Sequence, residues 1–455
     1  MASAVAQADR PARFRDVLAS GEYRAVYSAS VLSWIGDYVA RAAVAAMVYQ
    51  STGSAAASAA AFAISYAPWL LGGSVLVAIA ERYPYRRVMV VCDVARMVVM
   101  AVVAIGGSGL PLPLLLGLLL LCALFSPPFD AARSAMLPAM LGRERYVAGL
   151  ALSTATAAPI QVAGYFLGSS LATFDAQLAL GLNAATFGVS ALLVRTGVRL
   201  REPGLPSERR TGLLRETGDG FRIVFGNPAL RALVLLVFCG SLFAVVPEGL
   251  GAAWAARNST EIDRAWAQGL LMGAVPAGMV LGSLVISRLV RPSWRRRLLR
   301  PLAVLTPLAL VPALLDPSVP AAAGLALISG FAIGAFLPVA NAEFVQALPS
   351  AYRARAFGVV SAGLQLLQGA AVLATGALAQ RVDLPVVVGG WSAAGVLLMI
   401  VMAVGAWPAP EVFAKAGARA AEMDRSVRPS PAVPRDDQPV RSVQQADASA
   451  GTAAL

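Results

Sequence analysis

The chain has 455 residues, 58% hydrophobic and 14% charged, with a mean hydropathy of +0.69. Soluble domains carry roughly 25% charged residues, so a wet surface is excluded and a polytopic membrane protein is indicated. The net charge of +12 falls in short loops between apolar runs and makes no basic face with interleaved aromatics, which argues against a nucleic-acid partner.

Histidine is absent, which removes HExxH zinc chemistry, Ser-His-Asp triads and histidine proton relays. The three cysteines, Cys92, Cys122 and Cys239, lie in or beside apolar runs and read as small buried hydrophobes rather than a disulfide or metal framework. Lys415 follows Ala414, so no phosphate-binding Gly-x-x-x-x-Gly-Lys loop exists and an ATP-driven pump is excluded. No cofactor and no metal are expected.

Residues 1–25 are polar, with Arg10, Arg13, Arg15 and Arg24 and no short apolar core ending in a cleavage site. They read as a cytoplasmic segment, not a signal peptide. A membrane helix needs roughly 20 apolar residues. That length yields twelve spans, at about 26–49, 57–80, 88–107, 112–134, 146–172 and 176–197, then 229–256, 265–289, 298–316, 320–347, 354–380 and 384–408. Two six-helix bundles, 26–197 and 229–408, are expected, with 198–228 as a cytoplasmic linker. Within the linker Leu213, Leu214, Phe221, Val224 and Phe225 recur at helical spacing beside arginines, as in a helix lying on the membrane surface. Residues 409–455 are rich in Pro, Ser, Ala, Asp and Gln and read as a disordered cytoplasmic tail with a short helix near Pro410–Met423.

The loops alternate in charge. Ser51–Ala56, Gly106–Leu110 and Phe174–Gln177 hold no arginine, whereas Arg82, Arg86 and Arg87, Arg143 and Arg145, the Arg288–Arg297 group, and Arg353 and Arg355 crowd the other set. By the positive-inside rule the arginine-rich loops and both termini face the cytoplasm of a multi-pass plasma-membrane protein.

One stretch, Gly72–Arg96, organises the rest. Its small residues Gly72, Gly73 and Ser74 admit a close neighbour. A tight charged turn follows (Glu81, Arg82, Pro84, Arg86, Arg87), and then Asp93 and Arg96 in the next helix, where an ionisable group must find a partner or water. Shifted by 209, Gly73, Ser74, Arg82, Arg86 and Arg87 fall on Gly282, Ser283, Arg291, Arg295 and Arg296. Shifted by 211, Asp37 falls on Glu248 and Leu137-Pro138 on Leu348-Pro349. Such a repeat implies parallel duplication about an axis along the membrane normal.

Gly72–Arg96 resembles the loop signature of the major facilitator superfamily, a glycine-led helix followed by an Asp-Arg-x-x-x-Arg-Arg turn. More narrowly, the chain resembles the branch with the enterobactin exporter and macrolide efflux proteins. Gly36-Asp37, Thr52-Gly53-Ser54, Asp93-x-x-Arg96, Pro128-x-x-x-Ala-Arg133, Gly220–Pro228 and Leu348–Arg355 carry that likeness. It implies an all-α fold of twelve transmembrane helices in two pseudo-symmetric six-helix bundles. Two departures stand out. Glu81 replaces the usual aspartate, and the export-associated Gly-Pro-x-x-Gly-Gly of the fifth helix becomes Gly164-Tyr-Phe-Leu-Gly-Ser169, keeping the Gly164/Gly168 face without the proline.

Asp37 falls near the middle of the first span, with Arg41 one turn on as a possible ion partner. Glu248, beside Pro247, has no basic residue at i±3 or i±4, which suits it to exchange a proton near neutral pH. Asp37, Arg41 and Glu248 are therefore the coupling or substrate candidates. Gly73, Glu81, Arg82, Arg86, Arg87, Asp93 and Arg96 form the expected cytoplasmic gate and loop signature, in which Glu81, Arg82, Asp93 and Arg96 stabilise an outward-facing state. Glu343 near Arg353 and Arg355 is the expected gate pair of the second half. Together these features imply a monomeric secondary transporter, driven by the proton gradient, that exports an amphipathic small molecule (a drug, siderophore or secondary metabolite). An importer or facilitator of the same fold is the alternative, followed by a non-transporting scaffold or enzyme.

Overall fold

The computed structural model describes residues 14–70, 82–201, 213–257, 261–349, 352–405 and 407–427. Every regular element among them is helical, and eleven stretches are long and apolar enough to cross a membrane. In chain order these are the first span, Gly21–Thr52, the third, Tyr85–Gly109, the fourth, Leu112–Leu141, the fifth, Arg145–Phe174, and the sixth, Ala176–Gly197. The seventh to twelfth are Pro228–Arg257, Asp263–Arg288, Pro292–Leu315, Val319–Gln346, Arg355–Leu378 and Leu384–Gly405. The helix Ala55–Tyr66 begins the second span. Its continuation past Leu70, with Gly73 and Glu81, lies outside the described residues, as do residues 202–212 of the linker and the tail beyond Val427. The protein is an all-α, multi-spanning membrane protein of the kind that its composition requires.

Local chemistry sets the breaks between helices. Gly53 adopts φ +63°, where a side chain would be strained, and its N–H closes the first span on the Tyr49 carbonyl at 2.8 Å. Ser54 then accepts from the Ala57 N–H at 3.2 Å and starts the next helix. Thr52-Gly53-Ser54 is thus a cap-to-cap turn. Pro247 has no N–H to give the carbonyl four residues back, and the seventh span breaks between Ala244 and Val246, one turn before Glu248. Pro127 and Pro128 interrupt the fourth span at Phe125 in the same way.

Small residues set how closely the helices approach. A Cβ on Gly168 of the fifth span would lie 2.3 Å from the Val39 carbonyl oxygen of the first. On the eighth and tenth spans Gly278, Gly282, Gly330 and Gly334 interlock, and a Cβ on Gly282 would lie 2.0 Å from the Phe331 oxygen. These are small-xxx-small faces, which let backbones touch where lipid offers no hydrophobic drive to associate.

The first six spans meet the last six chiefly where the second packs on the eleventh and the fifth on the eighth. Adding six to each number of one pair, modulo twelve, gives the other, as duplication about a two-fold axis requires. The joining contacts gather at the end away from the arginines. Ser54 meets Gln380 at 3.2 Å, the Ala42 oxygen accepts from Gln268 at 2.8 Å, Ala59 faces Gly376, and Phe166 lies edge-on to Trp266. Toward the arginine-rich end Val147, Leu150, Thr154, Gly358 and Ser361 are exposed, so the cleft opens there. The linker helix Leu213–Gly226 packs on the eleventh span, with Gly220 against the Arg355 carbonyl. The tail helix runs from Pro410 to Val427, a turn longer than the sequence suggests, anchored by Phe413 stacking on Trp407.

Candidate functional site

Trp34, Asp37, Tyr38 and Arg41 recur at i, i+3, i+4 and i+7, which lines them along one stripe of the first span. Neighbouring Gly36 turns toward the sixth span, where a Cβ would lie 2.2 Å from Thr186 Oγ1 and 2.3 Å from Asn183 Oδ1. Only glycine allows that approach. The stripe forms one wall of a cavity of about 250 Å³, completed by Arg96, Asp130 and, from the eleventh span, Gln365.

The charges in this wall are ordered. Asp93 is fully buried and accepts from Arg96 Nη2 at 2.7 Å and from Ser190 Oγ at 2.6 Å. The other arm of Arg96 reaches Asp37 at 3.7 Å, and its guanidinium lies 4.3 Å from the centre of the Phe187 ring and 4.8 Å from that of Phe129. Burying these ions is tolerable because they are paired and sandwiched between aromatic faces. Asp130 pairs with Arg133 at 3.4 Å, and Arg133 covers the Trp34 ring. Arg41 does not take the neighbouring carboxylate that its spacing suggests. Asp37 goes to Arg96, and Arg41 lies over the Tyr38 ring at 5.3 Å.

Glu248 lies where the first and last six spans join. It is 7% exposed and accepts hydrogen bonds from Tyr165 Oη at 3.0 Å and Gln161 Nε2 at 3.2 Å, both on the fifth span. The absence of a base within its own helix is therefore only part of its environment, because two neutral donors reach it from the other half of the molecule. Tyr165 is fully buried and packs edge-on against Tyr38, linking Glu248 to the stripe.

The other sequence candidates are dispersed. Arg82 and Arg87 are exposed, and Arg86 donates to the Val198 carbonyl at 3.1 Å, tying the turn to the end of the sixth span. Arg96 belongs to the cavity wall, with Asp93 buried behind it, rather than to that turn, since roughly two to three helical turns raise them away from it. Glu343 pairs with Arg296 at the start of the ninth span, not with Arg353 or Arg355. Tyr38, Asp130 and Tyr165 are site residues that the sequence reading does not single out, although Asp130-x-x-Arg133 repeats the spacing of Asp93-x-x-Arg96. Among the described residues no group of three or more His, Cys, Asp or Glu could hold a metal ion.

A family model described as Major Facilitator Superfamily matches residues 26–254, about half of the chain. The fold is similar to that of a nucleoside transporter, NupG (D323A mutant), with TM-score 0.65 and 14% identity over 83% of this chain and 98% of that one. It is also similar to a peptide transporter, POT, in complex with sulfate (TM-score 0.61, 14% identity, 89% and 99% covered). A bacterial homolog of the human lysosomal transporter Spinster, inward-facing and unoccupied, gives TM-score 0.61 at 13% identity, with 90% and 99% covered. Curated protein sequences give no match.

Proposed function

This chain belongs to the Major Facilitator Superfamily, and on that footing we propose that it is a secondary transporter, not an enzyme, carrying a small solute across the plasma membrane by alternating access. The observation that carries this reading is Glu248. An acidic group of the seventh span is held by donors of the fifth, across the join between halves, and one of those donors, Tyr165, packs on Tyr38 of the cavity wall. Two bodies, 26–197 and 229–408, rock about that cavity while 198–228 tethers them. Arginine bias places the open end of the cleft and both termini in the cytoplasm.

The proton gradient supplies the drive, and no resident cofactor is needed. Protonating Glu248 removes the negative charge that Tyr165 and Gln161 share, which loosens the join. Protonating Asp37 releases Arg96 in the same manner. Proton entry makes available roughly 2.3 kcal/mol per charge per 100 mV of membrane potential.

Import or facilitated passage fits this molecule better than export. Solved structures of similar fold are named as nucleoside and peptide transporters. Where the export-associated motif has proline, this chain has Tyr165, and its hydroxyl serves Glu248. Proton-coupled efflux of an amphipathic small molecule is the second reading, and it rests on the motif likeness to the enterobactin-exporter and macrolide-efflux branch. Purified protein in vesicles with an imposed pH gradient decides between them. Uptake into the acceptor compartment against depletion of loaded vesicles gives the direction, and Glu248→Gln should lose the dependence on the gradient. Vesicles that pass no member of a broad solute panel faster than protein-free ones would leave a scaffold as the function.

A further inference from the structure

Resting on that transporter reading, we propose that the cavity takes a small zwitterion, its carboxylate on Arg41 and its ammonium group on Asp37. Arg41 is the starting point. Among the described residues its guanidinium has no carboxylate within 4 Å and no hydrogen bond, only the Tyr38 ring beneath it. Asp37, Glu248 and the hydroxyls of Tyr38, Tyr66 and Tyr165 are its electrostatic neighbours, yet it bonds none of them. Its guanidinium faces the cavity with no protein anion bonded to it, so a solute anion can reach it.

Asp37 is the complementary half. Its ion contact, to Arg96, is a loose 3.7 Å, because Arg96 already holds Asp93 at 2.7 Å, and 31% of the Asp37 side chain remains exposed. The two receptors stand one helical turn apart on a single stripe, about 5–6 Å between Cβ atoms. That separation suits an ammonium and a carboxylate a few bonds apart in one molecule. A plain cation at Asp37 would lie beside Arg41 and Arg96, and a plain anion at Arg41 would face Asp37. A zwitterion satisfies both groups at once. Trp34 and Tyr38 line the cavity beside the two charges, and Gln365 lines it from the opposite half. The cavity of about 250 Å³ falls below the ~300–1,000 Å³ typical of drug-sized ligands, which favours a molecule of amino-acid or dipeptide size.

The full-length protein in detergent and in vesicles tests this with four probes: phenylalanine, alanylalanine, phenylalanine methyl ester and N-acetylphenylalanine. Thermal stabilisation reads binding, and counterflow reads transport. The zwitterions should bind roughly ten- to a hundred-fold tighter than either capped form, the range for one charged hydrogen bond. Arg41→Gln should bring phenylalanine down to its methyl ester, Asp37→Asn should bring it down to the N-acetyl form, and Arg41→Lys should keep the preference. Capped forms that bind as tightly as zwitterions overturn the proposal. So does failure of both zwitterions while the same vesicles carry another solute class, an outcome that leaves the transporter reading standing. Vesicles that carry no solute of any class remove the transporter reading as well.

Discussion

Removal of one oxygen, in Tyr165→Phe, tests whether the join between the two halves is an energetic latch. Phenylalanine keeps the edge-on packing against Tyr38 but deletes the 3.0 Å donor to Glu248, leaving Gln161 at 3.2 Å as the remaining bond. A hydrogen bond to an ionised carboxylate contributes about 1.5–3 kcal/mol, and one between neutral groups about 0.5–1.5 kcal/mol. If the bond exists only in the state open at the arginine-rich end, its whole value shifts the equilibrium between states. The population ratio then moves about 12- to 150-fold for a charged Glu248 and about 2- to 12-fold for a neutral one. The size of the shift therefore reports the charge state of the glutamate. Spin labels at positions 52 and 381, both exposed and flanking the Ser54–Gln380 contact, read the population through their distance distribution. In the variant the short-distance population should shrink, and solute flux should change with it. An unchanged distribution together with unchanged flux across the pH range would refute the latch.

Asp93→Asn removes the carboxylate that Arg96 and Ser190 share. Breaking a buried pair costs about 3–5 kcal/mol, so transport should fall and thermal stability with it, while membrane insertion, assayed by protease protection of the loops, stays intact. Gly282→Val drives a side chain into the Phe331 carbonyl. Overpacking of this kind costs about 1–3 kcal/mol and should lower the unfolding temperature, whereas the same change at Gly324, with open space around it, should not. Glu343→Ala breaks an ion pair whose arginine is largely exposed, and a loss of at most ~1 kcal/mol is expected by denaturant titration.

The sequence by itself marked the order and approximate ends of the eleven long spans among the described residues, the linker helix and the tail helix. Those properties are local, because an apolar run of the right length cannot stay in water and proline and glycine end helices wherever they fall. It also marked Asp37, Arg41, Asp93, Arg96 and Glu248 as costly, since the expense of a charge in an apolar run needs no neighbour to be apparent. Only the tertiary structure decided which partner each charge takes. Asp37 chooses Arg96 on the third span over Arg41 one turn away, and Glu343 chooses Arg296. Glu248 is met by Gln161 and Tyr165, 87 and 83 residues earlier in the chain. Those choices depend on how far each helix is rotated about its axis and how deeply it sits. Both are fixed by contacts such as Gly36 against Asn183 and Gly168 against Val39, which a hydropathy pattern does not encode.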